Sequence, residues 1–468
     1  MHSFAGHRHR KLKINSHEPP PLEKVRRGEL KRALGLIDCM LLVIGGVIGS
    51  GIFLTPSNIA QTTQNVGAFF FVWVAGGVLS FCGAMTYAEL GAAFPRAGGI
   101  YVFLREAYGR MPAFLYGWCV FFVILTGSMA TLASAFSIYL SYLFPLTQIG
   151  LRILPVSVIG ILTIVNCFGV RWGARVQNLL TGIKISSLLG MIIVLFISDK
   201  GTFQHFSQSQ RAIPSPSLSA LGIAMIAVLW TYDGWHLLTF AAGEIKNPKK
   251  NVTAGLLLGM LVIIVFYVLV NMAYLYILPF QVIAGSSRVA SHALELAVGP
   301  WGGTLVAVAI LISIAGAINS NVMGGTRVFF AMASERLFFR PVAYVHPRYK
   351  VPTISILATG IWAGFLTMIG SFERLFSYVM FVSWIFFALG AGAVIVLRRK
   401  RPDIERPYRV WGYPWVPALF ILVATAFVVN AAVNNFKNSS WGLLVIFTGL
   451  PAYFYWSRRR RAVETRPC

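Results

Sequence analysis

The sequence predicts an all-α integral membrane protein of twelve transmembrane helices in a 5+5 inverted repeat, helices 1 and 6 being discontinuous. Three observations lead there. Hydrophobic residues make up 57% of the 468-residue chain and charged residues only 12%, about half the charge of a soluble domain. Twelve apolar stretches, near 36–60, 67–93, 112–144, 152–169, 173–198, 218–244, 252–278, 303–333, 353–370, 372–397, 414–434 and 441–457, have the length of bilayer spans. The first and sixth are interrupted at mid-length by residues that helices tolerate poorly, and they lie five spans apart. Corresponding breaks in two halves point to inverted repeats with a site at the membrane midplane.

The net charge of +25 raises the question of nucleic acid, and its distribution answers it. With the N-terminus placed in the cytoplasm, six of the 40 Lys and Arg fall in outer loops (Arg152, Lys200, Arg211, Arg288, Arg374, Lys437). Two fall inside spans (Lys184, Arg327), which leaves 32 on the inner side. This is the positive-inside pattern. It predicts a multi-pass protein of the plasma or cell inner membrane with both termini cytoplasmic and no nucleic-acid partner. The basic ends, Arg8 to Lys13 and Arg458 to Arg461, suit contact with the anionic lipid of the bilayer.

The domain organisation follows. Residues 1–33 are basic, contain Pro19-Pro20-Pro21 and lack a signal-type apolar core, so they read as a disordered cytoplasmic tail. Residues 34–397 form the core, with repeats near 34–198 and 218–397. Residues 398–457 add a basic loop and helices 11 and 12, and 458–468 are a second basic tail. Cys39, Cys82, Cys119 and Cys167 lie in apolar spans and Cys468 is last; they read as buried small residues in a reduced setting, without metal spacing or a disulfide framework.

In span one, Gly45-Gly46-Val47-Ile48-Gly49-Ser50-Gly51 places four glycines in seven residues, each costing a helix about 1 kcal/mol relative to Ala. A break at Gly49 to Gly51 leaves amide N–H groups unpaired at the start of the second half-helix, a setting for a carboxylate. The glycines alone fit a tight helix crossing equally well. Asp38 reads as interfacial or paired with a basic neighbour, and Pro56 as a first-turn residue of the new helix. In span two, Glu89 reads as structural, pairing with an Arg of the loop that follows. In span three, Thr126, Ser128 and Thr131 are hydroxyls that more often bond their own backbone than a ligand.

Span five carries Lys184 about ten residues past Arg175, too deep to snorkel easily, so it faces the protein interior as a tether or a proton site. Span six contains Trp230-Thr231-Tyr232-Asp233-Gly234-Trp235, and its carboxylate must face protein, water or substrate. Val289 to Val298 reads as a short outer helix. Ser313, Asn319, Ser320 and Asn321 in span eight, and Ser377, Ser383 and Trp384 in span ten, fit either a pore lining or helix-to-helix bonds.

Several stretches resemble the amino acid–polyamine–organocation transporters, and within them the L-type amino acid transporter branch. They are Gly49-Ser50-Gly51-Ile52-Phe53, Tyr87-Ala88-Glu89-Leu90, Phe94-Pro95-Arg96-Ala97-Gly98-Gly99, Tyr232-Asp233-Gly234-Trp235, Glu244-Ile245-Lys246-Asn247-Pro248 and Arg406-Pro407-Tyr408-Arg409-Val410. The resemblance implies a LeuT-like fold that holds an α-amino acid between the two unwound segments. Its carboxylate would meet N–H groups around Gly49, Ser50 and Gly51. Its ammonium would meet carbonyls around Ile48 and those of Trp230 and Thr231, with Trp230 an aromatic gate over the substrate. The resemblance further implies that Lys184 replaces a bound sodium ion, tethering span one near Gly46 to span eight near Ser313. Transport would then be sodium-independent. Two features depart from the pattern. Loop Pro145 to Arg152 has no cysteine, so no disulfide-linked heavy subunit is expected. Asp233 stands where several eukaryotic members have Gly.

The function expected is secondary active transport of amino acids, neutral ones first, by alternating access, as an exchanger or linked to protons. A cationic amino acid or polyamine substrate is the alternative, with Asp233 serving the extra ammonium. A non-transporting amino acid sensor on the same scaffold is a reading of a different class. The eight His residues give no zinc motif, and no Ser-His arrangement or paired intramembrane carboxylates are visible. No enzyme activity, cofactor or metal is therefore expected.

Overall fold

The chain enters its first helix through a side-chain cap. The Gly35 N–H donates to Asp38 Oδ2 at 2.8 Å, and Asn178 Nδ2 donates to Asp38 Oδ1 at 2.6 Å. Asp38 thus caps a helix and binds an amide; of the two settings expected from the sequence, interfacial or paired with a basic neighbour, the basic partner is not the one found. The computed structural model describes residues 30–208, 216–369, 372–434 and 436–464. The tail at 1–29 with its proline run, Arg211, and 465–468 with Cys468 lie outside these.

In order the helices are α1 (Leu36–Val47), α2 (Gly51–Thr63), α3 (Val66–Ala93), α4 (Ile100–Tyr108), α5 (Arg110–Cys119), α6 (Leu125–Leu143), α7 (Gln148–Cys167), α8 (Val170–Ile197) and α9 (Gln204–Gln208). There follow α10 (Leu218–Thr231), α11 (Leu237–Phe240), α12 (Pro248–Ile277), α13 (Phe280–Gly285), α14 (Val289–Val298), α15 (Trp301–Ser334), α16 (Thr353–Ile369), α17 (Phe372–Lys400), α18 (Trp415–Asn434) and α19 (Phe436–Glu464). A π-helical turn, Val120–Ile124, joins α5 to α6. No strand is present among the described residues; one parallel bridge pairs Leu34 with Ile245. Among the described residues, eight spans are long and apolar enough to cross a membrane, α5 to α6 counting as one, or nine with α1 and α2 taken as one span bent by 45°.

The apolar stretches of the sequence fall on these helices, and the short helix expected at Val289 to Val298 is present. Two features are new. Helix α4 is amphipathic, and it is entered through Gly98 and Gly99 and left through Gly109, all at positive φ, where glycine carries no Cβ penalty. Pro56 falls in the second turn of α2, not the first, so it removes an interior helix bond.

Ionic side chains fix one end of the bundle. Glu89 of α3 is buried and accepts from Arg398 Nε at 2.9 Å and Nη2 at 2.6 Å, and from the Val410 N–H at 2.7 Å. Arg406 Nε stands 3.5 Å away. The expected partner in the loop after α3 is therefore corrected: Arg96 lies instead 3.8 Å from Glu106. A buried carboxylate needs several donors, and the end of α17 with the following Arg406–Val410 segment supplies more than one short loop would. Arg327 of α15 forms a two-point pair with Glu244, at 2.6 Å and 3.0 Å, both side chains being fully buried. The Ala33 and Leu34 N–H groups donate to Glu244 O at 2.8 and 3.0 Å, and Lys246 N–H returns to Leu34 O at 2.8 Å. The segment entering α1 is thereby bonded to the segment leaving α11.

Candidate functional site

The backbone leaves the helix at 48–50 and again at 232–236, and these segments face each other. Between them lies a cavity of about 90 Å³, several times the 10–15 Å³ one water needs. Gly46, Gly49, Ser50 and Gly51 line it from the first break, and Trp230, Thr231, Asp233, Gly234 and His236 from the second. The far wall is α5–α6, with Tyr116, Ser128 and Thr131; Ala317 and Asn321 of α15 complete it.

The close approach of the breaks depends on glycine. Gly234 has φ +115°, and a Cβ there would stand 2.6 Å from Gly46 O. A Cβ on Gly51 would meet Thr231 Cγ2 at 2.9 Å, whereas one on Gly49 would meet nothing nearer than 3.8 Å. Both glycines line the cavity, but a side chain on Gly51 would run into α10, whereas one on Gly49 would have open space. Of the first-turn N–H groups of α2, that of Phe53 donates to Ser50 O at 3.2 Å; the helix start borders the cavity at Gly51, where no preceding helical turn supplies acceptors. Ser50 Oγ and Thr131 Oγ1 are buried there without a hydrogen-bond partner, which leaves two hydroxyls for a polar guest.

Three side chains hold the breaks. Lys184 Nζ donates to Gly45 O at 2.9 Å and, at a shorter distance, to Ile48 O. Ser313 Oγ lies 3.0 Å from both Ile48 O and Gly49 O. The lysine and the serine are therefore linked through the Ile48 carbonyl. Ile48 itself is fully buried and does not line the cavity. The structure thus separates it from Gly49, Ser50, Gly51, Trp230, Thr231 and Asp233, which do. Tyr267 of α12, which the sequence did not single out, places its hydroxyl 3.2 Å from Val47 O and 3.0 Å from Thr231 O. One phenol so bridges both breaks. Thr55 Oγ1 and Thr231 Oγ1 add a bond of 3.1 Å between α2 and α10.

The polar residues left open by the sequence divide. Asn319 bonds Asn166 and Gln177, tying α15 to α7 and α8, while Asn321 reaches the cavity. Thr126 bonds Phe121 O at 2.6 Å across the π turn, but Ser128 and Thr131 line the cavity. The π turn rotates the face of this span, and such turns are frequent at functional sites. Asp233 Oδ1 accepts from the Gly234 N–H at 2.8 Å and lies 3.4 Å from His236 Nδ1. No cluster of three or more His, Cys, Asp or Glu is placed to hold a metal among the described residues.

Residues 34–451 match the family model described as amino acid permease. The chain is 30% identical over 434 residues to the serine/threonine exchanger SteT of Bacillus subtilis, covering 92% of this chain and 98% of that protein. It is 29% identical to the human cystine/glutamate transporter over 96% of this chain and 90% of that protein. It is 30% identical to the human b(0,+)-type amino acid transporter 1 over 94% and 90%. The chain therefore belongs to the amino acid permease family, within the L-type branch of the amino acid–polyamine–organocation superfamily, and is an integral membrane transporter of amino acids, not an enzyme.

Proposed function

We propose that the protein carries neutral amino acids by alternating access, as an exchanger or a proton-linked permease, without sodium. The observation that carries this reading is the cavity of about 90 Å³ between the 48–50 and 232–236 segments, bordered by the start of α2 and the unpartnered Ser50 hydroxyl. A zwitterion matches such a site. Its carboxylate suits N–H groups at Gly49, Ser50 and Gly51, and its ammonium suits the Trp230 carbonyl. The Ile48, Thr231 and Trp230 carbonyls already accept from Lys184 and Ser313, from Tyr267 and from the Asp233 N–H respectively, so the ammonium would share each acceptor with a bond the protein makes itself. Trp230 borders the cavity as a gate.

Sodium independence is supported by Lys184, whose ammonium binds two carbonyl oxygens of the first break that a cation would otherwise seek. In this reading twelve spans form repeats at 34–198 and 218–397, helices 1 and 6 are the broken ones, and both termini are cytoplasmic. Loop 145–152 carries no cysteine, so the protein works without a disulfide-linked subunit. A second reading, a cationic amino acid as substrate, is favoured by one observation: the Asp233 carboxylate lines the cavity. Competition against uptake of a labelled neutral amino acid separates the two. Uptake inhibited by neutral amino acids supports the first reading; no uptake of the neutral amino acid, with labelled arginine taken up and unaffected by neutral competitors, supports the second. A protein that binds amino acid without flux would be a sensor.

A further inference from the structure

The cavity holds two ionisable side chains that recognition of a zwitterion does not require. Among the described residues, Asp233 is the one carboxylate and His236 the one imidazole on its lining, and no Lys or Arg lines it. They lie three residues apart in the turn between α10 and α11, with His236 Nδ1 3.4 Å from Asp233 Oδ1. The Gly234 N–H fixes the same carboxylate oxygen at 2.8 Å. His236 is 6% exposed, and its Nδ1 has no hydrogen-bond partner. The approach to Asp233 is thus an ion-pair distance without hydrogen-bond geometry.

The groups around the imidazole are otherwise uncharged. The ring of Phe387 of α17 lies tilted at 4.8 Å between centroids, with Trp235 and Phe240 at 5.9 and 5.3 Å. The phenol of Tyr116 on α5 lines the cavity, that of Tyr87 on α3 donates to Phe387 O, and that of Tyr267 on α12 bridges the two breaks. Helices α1 and α15 present Gly46 and Asn321. Lys184 faces the carbonyls of Gly45 and Ile48, and Arg327 is closed on Glu244. The net charge of this part of the cavity is therefore set by Asp233 and His236 alone.

We infer that His236 decides, by gaining or losing one proton, which charge class of amino acid the cavity accepts. With a neutral imidazole the pair carries one negative charge and suits a side chain bearing an ammonium or guanidinium. With a protonated imidazole the pair is neutral, and the cavity suits a zwitterion with an uncharged side chain. A cationic substrate and the His236 proton compete for Asp233, so binding of one releases the other. The inference rests on the amino acid site proposed above and deepens it.

The test uses the full-length protein in proteoliposomes preloaded with unlabelled L-alanine, so that an obligate exchanger also shows uptake, with the same pH on both faces. Uptake of labelled L-alanine is competed with unlabelled L-arginine and with unlabelled L-alanine from pH 5.5 to pH 8, and the ratio of the two inhibition constants is read. In the native protein, arginine should gain about tenfold on alanine as pH rises across this range. His236→Asn and His236→Gln should each give a ratio independent of pH. Asp233→Asn should make arginine a poor competitor throughout. The ratio is internal to each variant, so a lower total uptake does not affect it. A flat ratio in the native protein, alongside saturable alanine uptake, would overturn this inference and leave the transport reading intact. The same rise in both His236 variants would also overturn it. Absence of saturable uptake of either amino acid would overturn the transport reading and this inference with it.

Discussion

Gly234 and Gly46 meet backbone to backbone, with no room between them for a single methyl group: a Cβ on Gly234 would lie 2.6 Å from the Gly46 carbonyl oxygen. The cavity exists because two unwound segments come this close, and side chains would hold them apart. Gly234 also sits at φ +115°, a conformation an L side chain resists. Gly234→Ala should therefore lower stability by about 2 kcal/mol or more and weaken amino acid binding more than tenfold. Thermal unfolding in detergent, with and without amino acid, reads both. Native values for both would mean that the contact is dispensable.

The other glycines of the first break separate by what surrounds them. A Cβ on Gly51 collides with Thr231, while one on Gly49 finds nothing within 3.8 Å. Gly49→Ala should unfold at close to the native temperature yet bind amino acid at least about tenfold more weakly, because the added methyl enters the substrate space. Gly51→Ala should instead lower the unfolding temperature, since α2 must shift off α10. Equal losses of stability in the two variants would contradict this division.

Lys184 and Ser313 converge on the Ile48 carbonyl. Lys184→Ala leaves the serine bond in place and removes the ammonium from Gly45 O. Turnover should fall more than binding, because the tether holds the first break between conformations rather than holding substrate. Initial rates and equilibrium binding measured on one preparation distinguish these effects. A native rate would reduce Lys184 to packing.

Glu89 joins α3 to the end of α17 and to the segment 406–410. Glu89→Gln removes the counterion of the half-buried Arg398 and Arg406 guanidinium groups, a loss of about 2 kcal/mol. The exposed pair Lys249–Glu405, at 2.7 Å, offers the contrast: Lys249→Ala should change stability by no more than about 0.5 kcal/mol. Chemical or thermal unfolding of both variants checks the ranking, and a Glu89→Gln protein as stable as Lys249→Ala would refute it.

The spans were legible because apolar length is a one-dimensional signal, and the glycine run at 45–51 with Asp233-Gly234 marked where helices end. Charge partners were not legible. Glu89 finds Arg398 more than 300 residues away, a pairing that only three-dimensional packing brings about. Tyr267 bridges the breaks from inside a uniformly apolar stretch, where nothing in its neighbours sets it apart. The Val120–Ile124 π turn left no mark either, since the extra residue shifts a helix face without changing composition. His236 lay beside the recognised Tyr232–Trp235 motif, and Asp233 drew attention as the charged residue. That its imidazole faces the same cavity depends on the turn at 232–236, which the residue types do not specify in detail.

The central claim is that this cavity carries an amino acid across the membrane. Its most direct test is uptake of a labelled neutral amino acid into proteoliposomes, empty or preloaded with unlabelled amino acid, at equal and unequal pH and without sodium. The account predicts saturable uptake that is lost in Gly49→Leu. Uptake confined to preloaded vesicles marks an exchanger, and uptake into empty vesicles that rises with an inward proton gradient marks a proton-linked permease. Sodium-dependent uptake, or uptake unchanged in Gly49→Leu, would contradict it.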